Sequence, residues 1–189
     1  MPTDLSVAAA AGARATPLRR GLAVALGALV VALAAQVAVP VPLSPVPMTL
    51  QPLAVLVVGA ALGARAGAAA LILYLVLGLL GLPVFAGGAA GPARLLGPTG
   101  GYLLAFPVAA GLCGYLVGRL PTLGRTLLAT AAGMVVIHLG GVAQLALLGG
   151  DPALAFRVGF VPFLTGDLLK IGLATAAIVA LGGRFRGLR

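Results

Sequence analysis

Six apolar runs, separated by shorter segments rich in proline, glycine or arginine, make up most of this chain. An apolar run of about 20 residues is long enough to cross the hydrocarbon core of a bilayer as a helix. The pattern therefore predicts an all-α fold, a polytopic membrane protein built as a bundle of six transmembrane helices. The predicted helices cover residues 21–39, 53–62, 67–82, 102–118, 127–148 and 162–181.

Two of the intervening segments cannot continue as helix. Residues 40–52, PVPLSPVPMTLQP, repeat proline, which has no amide hydrogen for a helix. We predict that they form a rigid extended lid, with Thr49 and Gln51 as polar tips that cap the second helix. Residues 81–102, GLPVFAGGAAGPARLLGPTGGY, leave backbone amides that packed protein, water or a ligand must satisfy. We interpret them as a binding loop, because a flexible linker would be rich in Ser, Glu or Lys.

The composition supports a membrane protein and excludes several other classes. Of the 189 residues, 61% are hydrophobic and 8% are charged, whereas soluble domains carry about 25% charged residues. The net charge of +9 comes from basic residues scattered singly at the ends of apolar runs, without the basic stripe typical of nucleic-acid binding. Cys113 is the only cysteine, which excludes an internal disulfide.

The arginines predict how the bundle is oriented. With six helices and both termini inside, nine arginines lie in inner segments and two, Arg94 and Arg157, lie in outer loops. Cytoplasmic segments of membrane proteins carry an excess of Lys and Arg, so this count supports an even number of spans. The lid, the glycine-rich loop and residues 149–161 then share the outer face and predict the mouth of a pocket. The inner arginines are Arg14, Arg19, Arg20, Arg65, Arg119, Arg125, Arg184, Arg186 and Arg189.

The sixth predicted helix carries charges at membrane depth. Asp167 and Lys170 are three residues apart and therefore share one face, with Phe163 one turn before Asp167. A charge at this depth costs about 2.5–3.5 kcal/mol on insertion scales and by default indicates function. The alternatives are a self-satisfied ion pair, or a lysine that reaches an interface. Because both residues lie beneath the predicted mouth, we predict that they bind a ligand.

Few other polar residues interrupt the apolar runs. Tyr74 lies at mid-depth, where its hydroxyl needs a partner on another helix or on a ligand. A lone buried histidine is usually hydrogen-bonded to a carbonyl, and we favour this interpretation for His138. Asp151 and Arg157 lie in the loop of residues 149–161, and we predict that they pair with each other.

The sequence lacks the motifs of several enzyme classes. No G-x-x-x-x-G-K-[ST] phosphate loop is present, which excludes ATP hydrolysis by that route. The two serines, Ser6 and Ser44, lie outside the predicted helices, so an intramembrane serine nucleophile is absent. One histidine and one intramembrane aspartate make neither a metal site nor an acid dyad. We therefore expect a binding protein that is not an enzyme and holds no metal or cofactor.

Several motifs occur in an order that resembles a known family. They are VPMTLQ at 46–51, YLVLGLLGLPVFAGG at 74–88, GPTGGYLLAF at 97–106 and PFLTGDLLK at 162–170. Over residues 20–183 the chain resembles the biotin-specific substrate-binding (S) subunits of energy-coupling-factor (ECF) transporters. The resemblance implies a six-helix bundle that binds biotin in a pocket open to the outside and mediates vitamin uptake. The alternatives are a capture subunit for another small vitamin, or an unrecognised membrane enzyme that uses Asp167.

The resemblance also implies binding residues and partners. Asp167 would accept from the ureido N–H groups of biotin, and Lys170 would donate to the ureido carbonyl or neutralise the carboxylate of the tail. Transport would need a transmembrane coupling subunit and two ATPase subunits, with biotin as the transported ligand and no cofactor. The predicted binding residues, of which the aromatic ones would wall the bicyclic ring, are Asp167, Lys170, Gly97, Thr99, Gly100, Gly101, Tyr102, Phe163, Phe85 and Tyr74.

Small residues recur every four positions along the first predicted helix, as in Ala28 and Ala32. This spacing makes a flat groove where another helix can approach closely. Composition alone favours packing within the bundle, but the resemblance implies that Ala28 and Ala32 contact the coupling subunit.

These interpretations divide the chain into three parts. Residues 1–20 form a cytoplasmic N-terminal segment, residues 21–183 the six-helix membrane domain, and residues 184–189 a basic cytoplasmic tail. The resemblance implies a multi-pass protein of the prokaryotic cytoplasmic membrane, with both termini in the cytoplasm.

Overall fold

The structure, a computed structural model, describes residues 16–118 and 121–185 and is almost entirely helical. Two short antiparallel strands, β1 (Ala38–Val39) and β2 (Met48–Thr49), pair between the first two helices. Single 3-10 turns cover Ala86–Gly88 and Val161–Phe163. The all-α class is confirmed. The helices are α1 (Pro17–Gln36), α2 (Gln51–Leu62), α3 (Ala64–Leu79), α4 (Ala93–Leu96), α5 (Gly100–Val117), α6 (Leu123–Gly149), α7 (Pro152–Gly159) and α8 (Leu164–Phe185).

Each of the six predicted helices has a counterpart in α1, α2, α3, α5, α6 or α8. Within residues 16–118 and 121–185, four segments are long and apolar enough to cross a membrane, namely α1, α5, α6 and Pro152–Gly182. Helices α2 and α3 have 12 and 16 residues, so at 1.5 Å per residue they are about 18 and 24 Å long. A hydrocarbon core is about 30 Å thick. The count of six complete crossings therefore stays a prediction.

Several helix ends differ from the predicted ones for local reasons. Helix α1 begins at Pro17 rather than at residue 21, because Thr16 Oγ1 accepts a hydrogen bond from the Arg19 amide and proline suits the first turn. Only Gly63 separates α2 from α3, and its φ of 80° turns the chain sharply. The predicted wider break at residues 63–66 is therefore wrong.

The predicted loop of residues 149–161 contains helix α7. Asp151 Oδ1 accepts hydrogen bonds from the amides of Ala153 and Leu154 at 2.9 and 3.0 Å, which caps the helix. The predicted ion pair is wrong, because the described side chains of Asp151 and Arg157 do not contact each other.

Helix α5 lies in the middle of the bundle and packs on α2, α3 and α6. Helix α1 packs on α2 and α3 through its small residues. A Cβ added at Gly27 would meet Ala70 and Val58 at 3.0 Å, so the helices are in close contact there. Ala28 is 2% exposed in this core and Ala32 packs against it. Ala28 therefore faces the bundle and Ala32 is half-buried, and the predicted contact of these two alanines with a coupling subunit stays a prediction.

Some of the residues used to predict orientation cannot be placed. Arg14, Arg119, Arg186 and Arg189 lie outside the described residues, as do residues 1–15 of the predicted N-terminal segment and residues 186–189 of the predicted tail. The described inner arginines include Arg65 at the start of α3 and Arg125 in the first turn of α6.

Candidate ligand-binding site

A cavity lies where the β1–β2 hairpin, the glycine-rich loop and helices α5, α6 and α8 meet. The proline-rich lid, the glycine-rich loop and the Asp167–Lys170 segment all contribute to its wall. Residues 149–161, predicted as a third loop of the mouth, do not line it. The lining residues are Val46, Pro47, Thr49, Gln51, Pro52, Phe85, Ala86, Arg94, Thr99, Tyr102, Leu103, Phe106, Ile137, His138, Phe163, Asp167 and Lys170.

Asp167 is the centre of a buried polar cluster on this wall. Its Oδ1 accepts a hydrogen bond from Lys170 Nζ at 3.0 Å, one turn along α8. Its Oδ2 lies 2.5 Å from His138 Nε2 on helix α6. The three residues are 6%, 5% and 7% exposed. Because an ionised carboxylate only accepts hydrogen bonds, both neighbours donate to Asp167.

Aromatic rings surround His138. The centroids of Phe160 and Tyr102 lie 5.0 and 5.9 Å from the histidine ring, both edge-on, and Phe163 lies 6.1 Å away. The ring therefore has little freedom to turn. Its Nδ1 atom is buried without a hydrogen-bond partner among the described residues. The interpretation of His138 as a histidine bonded to a carbonyl is wrong, because its partner is the carboxylate of Asp167.

Two glycines on different helices make room for aromatic walls of the cavity. A Cβ at Gly78 of α3 would collide with the Phe85 ring, and a Cβ at Gly141 of α6 would collide with the Tyr102 ring. Each ring lies directly against a helix backbone. The Tyr102 hydroxyl also donates to the Gly159 carbonyl oxygen at 2.6 Å, which links α5 to the end of α7.

Tyr74 has protein partners and does not line the cavity. Its hydroxyl accepts from Gln51 Nε2 at 2.6 Å and donates to the carbonyl oxygen of Val84 at 3.3 Å. Its ring meets that of Phe85 edge-on at 5.5 Å. Tyr74 therefore supports two lining residues, Gln51 and Phe85, from behind.

The predicted glycines of the binding loop contact protein. A Cβ at Gly100 would collide with the Leu95 carbonyl, and one at Gly101 would collide with the Gly140 carbonyl of α6. The Gly97 carbonyl accepts from Gln144 Nε2 at 2.6 Å. These three glycines lie outside the cavity lining and let the loop pack on α6. Thr99, Tyr102, Phe85, Phe163, Asp167 and Lys170 are the predicted binding residues that do line it.

The glutamines hold the loops in place, a role that sequence analysis missed. Gln36, at the end of α1, donates to the Phe85 carbonyl at 3.4 Å and accepts from the Gly88 amide at 3.1 Å. Gln144 of α6 donates to the carbonyls of Leu95 and Gly97. A polar residue within an apolar run must find a hydrogen-bond partner. The position of these glutamines within apolar runs could therefore have predicted their role.

Arg94 is the other cation of the cavity wall. It lies on α4 within the glycine-rich loop and is half-buried. In residues 16–118 and 121–185, no carboxylate lies within ion-pairing distance of its guanidinium. The same ranges contain no group of three side chains of the types that hold metal ions.

Comparison with known proteins identifies the family. The model of the BioY family matches residues 6–186. This chain belongs to the BioY family. The match spans every element that lines the cavity, from the β1–β2 hairpin to α8.

Individual BioY relatives are similar over most of their length. A probable biotin transporter BioY of Pyrococcus horikoshii is 42% identical over 83% of this chain and 93% of the relative. A biotin transporter BioY of Thermotoga maritima is 41% identical over 75% of this chain and 82% of the relative. Biotin transporter BioY2 of Lactococcus lactis is 37% identical over 84% of this chain and 87% of the relative.

A solved structure supports the fold. The crystal structure of the S-component for biotin from an ECF-type ABC transporter has a TM-score of 0.81 to this chain. The match covers 89% of this chain and 94% of the chain in that crystal structure, at 24% sequence identity. The arrangement of helices in this chain is therefore that of the solved S-component.

Proposed function

We propose that this chain is the biotin-binding membrane subunit of an uptake system and not an enzyme. The observation that carries the proposal is the buried cluster of Asp167, Lys170 and His138 on the wall of a mostly apolar cavity. The relatives at 37–42% identity are named as biotin transporters, which supports biotin over another small vitamin.

Different residues of the cavity lining suit the two polar ends of biotin. Asp167 is an acceptor, and the ureido ring of biotin offers two N–H donors. Lys170 is already paired with Asp167. Its ammonium group, next to the carboxylate, can also donate a hydrogen bond to the ureido carbonyl. Arg94 lacks a carboxylate partner among the described residues and suits the carboxylate of the tail. Of the two roles considered for Lys170, contact with the ureido carbonyl is therefore favoured.

Aromatic side chains supply the remaining contacts. Phe85, Phe106, Phe163 and Tyr102 line the same cavity and would enclose the apolar bicyclic ring. Ligand pockets of this kind are mostly apolar with a few polar groups that fix orientation. Thr99 and Gln51 add neutral polar groups near the loops.

Transport requires partners that this chain does not contain. Its sequence has no phosphate-binding loop of the P-loop type, so the energy would come from a separate module. We propose a transmembrane coupling subunit and two ATPase subunits as that module.

The orientation and location are part of the same proposal. The nine-to-two distribution of arginines supports a multi-pass protein of the cytoplasmic membrane with residues 1–20 and 184–189 in the cytoplasm. The membrane domain of residues 21–183 would then open its cavity to the outside, where the hairpin and the glycine-rich loop lie.

Equilibrium binding of radiolabelled biotin to the purified protein tests the function. We expect saturable binding, displaced by unlabelled biotin and not by an excess of thiamin or riboflavin, with the bound biotin recovered unchanged. Displacement by another vitamin would favour a related capture subunit. A modified product in the eluate would favour an enzyme that uses Asp167.

Cysteine labelling tests the orientation. Cysteines placed singly at Ala90 and Ala153, in a Cys113→Ala background, should react with an impermeant thiol reagent added outside intact cells. A cysteine at Arg65 serves as the matched inner position and should react only after permeabilisation. The reverse pattern would invert the proposed topology.

A further inference from the structure

The hydrogen bond between His138 and Asp167 joins two helices at the cavity. Asp167 lies near the start of α8, and His138 lies in the second half of α6. The two residues are 29 positions apart in the chain, and their side chains are both buried. In the described residues this contact ties Asp167 to another helix, while Lys170 holds it only from within α8.

The carboxylate of Asp167 has capacity left for a ligand. Its two oxygens offer roughly four lone-pair sites. Lys170 occupies one site on Oδ1, and His138 occupies one on Oδ2. About two sites remain, which equals the number of N–H donors on a ureido ring. His138 and the ligand therefore need not compete for Asp167.

The surroundings of His138 make it a rigid donor. Rings of Tyr102, Phe160 and Phe163 enclose the imidazole, so its Nε2–H has one direction available. The carboxylate of Asp167 can rotate about its own bonds, and the position of Oδ2 follows from the hydrogen bond it accepts. A lone Lys170 at the end of a flexible chain would fix the carboxylate less well.

We propose that His138 is a positioning residue, which holds the Asp167 carboxylate in the orientation that accepts the N–H donors of the ligand. The proposal rests on the biotin-binding function proposed above. His138 acts through Asp167, so its removal lowers affinity even though the carboxylate itself is still present.

Replacement of His138 by a matched pair of residues tests this role. Met and Gln have similar size, and only Gln retains an N–H donor near the place of Nε2. With biotin as the probe, we expect roughly 10-fold weaker binding for His138→Met, which is the lower limit known for residues that orient metal ligands and is applied here to a carboxylate that binds an organic ligand. His138→Gln should stay within about threefold of the unchanged protein. Leu139→Met, at the adjacent position with a side chain 65% exposed, is the control and should bind normally.

A double-variant cycle with Asp167→Asn separates positioning from general packing. If His138 acts through the carboxylate, His138→Met should weaken binding little further once Asp167 is Asn, by less than about threefold. The thermal unfolding midpoint of each variant is measured alongside, so that loss of affinity is not confused with loss of fold.

Several outcomes would overturn the proposal. These are normal biotin binding by His138→Met, equal losses for the Met and Gln variants, or an additive loss in the Asp167→Asn background. If His138→Met and His138→Phe both fail to fold while His138→Gln folds, His138 is a folding residue and the proposal is wrong. An unchanged protein that does not bind biotin would instead contradict the proposed function.

Discussion

The two sides of the cavity hold their polar groups in different ways. On the helical side, α6 and α8 bring together the charged residues Asp167 and Lys170 with His138. These side chains are buried, and each hydrogen bond in the cluster involves the carboxylate. Charges away from water persist only when they are paired and hydrogen-bonded. The helical side is therefore a fixed charged centre.

Apart from Arg94, the loop side is neutral. There the Gln51 amide, the Tyr74 hydroxyl and the Val84 carbonyl form one chain of hydrogen bonds, and Gln36 binds the backbone at Gly88. These groups connect the ends of α1 and α2 to the glycine-rich loop. Neutral hydrogen bonds contribute about 0.5–1.5 kcal/mol each in net terms, so exchanging one of them for a hydrogen bond to water changes the energy little.

The difference suggests that the two sides of the cavity have different roles. The charged side would select the ligand, since misplacing a buried charge is costly. The neutral loop side would give access, since its hydrogen bonds to backbone can be exchanged when the hairpin or the glycine-rich loop moves. Variants on the two sides should therefore affect different measurements.

The largest effect is expected on the charged side. Asp167→Asn or Lys170→Gln removes one partner of a desolvated pair, a change worth on the order of 2–5 kcal/mol. Since 1.4 kcal/mol is tenfold, biotin affinity should fall by roughly 30-fold or more. Equilibrium biotin binding, with the thermal unfolding midpoint as a check of fold, measures this.

The double variant Asp167→Asn with Lys170→Gln distinguishes binding from structure. A pair of purely structural value predicts that the double variant regains much of both stability and affinity, because no unpaired charge remains. A binding pair predicts regained stability without regained affinity. Single variants that fold and bind biotin normally would remove Asp167 and Lys170 from the site.

The helices were predictable because their apolar runs are long. The structure of the segments between them was harder to predict. Residues 149–161 were predicted as a loop, yet Asp151 followed by Pro152 is a typical helix start that could have predicted α7. The predicted small-residue groove on α1 was correct as a pattern. Which partner fills it depends on the fold, and here α2 and α3 do so.

The site was predictable where it depends on spacing within one helix. Asp167 and Lys170 share a face of α8 because of helical periodicity, and the structure pairs them. The contact of His138 with Asp167 depends on how α6 and α8 pack, which no local pattern contains. The glycines at 97, 100 and 101 were assigned to the ligand because a sequence cannot tell a glycine that faces a ligand from one that faces a helix.

The next effect concerns Arg94, the cation at the loop end of the cavity. Arg94→Gln should weaken biotin binding by roughly 10-fold, the lower limit for losing a hydrogen bond to a charged group. The loss should nearly disappear for biotin amide, whose tail carries no charge. Arg157→Gln, an exposed arginine of α7 outside the cavity, is the matched control and should bind both ligands normally. Equal losses for biotin and its amide would contradict the assigned contact.

The smallest effect on affinity is expected behind the loop side, at Tyr74. Tyr74→Phe removes the hydroxyl that accepts from Gln51 Nε2 at 2.6 Å and donates to the Val84 carbonyl at 3.3 Å. Gln51 is buried, so its amide is left without this partner, which costs about 1–3 kcal/mol of stability. The thermal unfolding midpoint should fall, while biotin affinity should change by less than about threefold because the ring and the cavity lining remain. Tyr115→Phe, whose tyrosine is 72% exposed on α5, is the control and should leave both measurements unchanged.

Replacing both ends of this hydrogen bond sharpens the test. When Gln51→Leu is combined with Tyr74→Phe, neither side chain retains an unpaired polar group, and apolar groups of similar size can pack in their place. Much of the lost stability should then return, although Gln51 lines the cavity and its loss can lower affinity by itself. The opposite pattern for Tyr74→Phe alone, normal stability with a 10-fold loss of affinity, would mean that the neutral side also selects the ligand. In that case the contrast between a charged selecting side and a neutral access side would fail, because a hydroxyl outside the lining would control recognition as strongly as a charge within it.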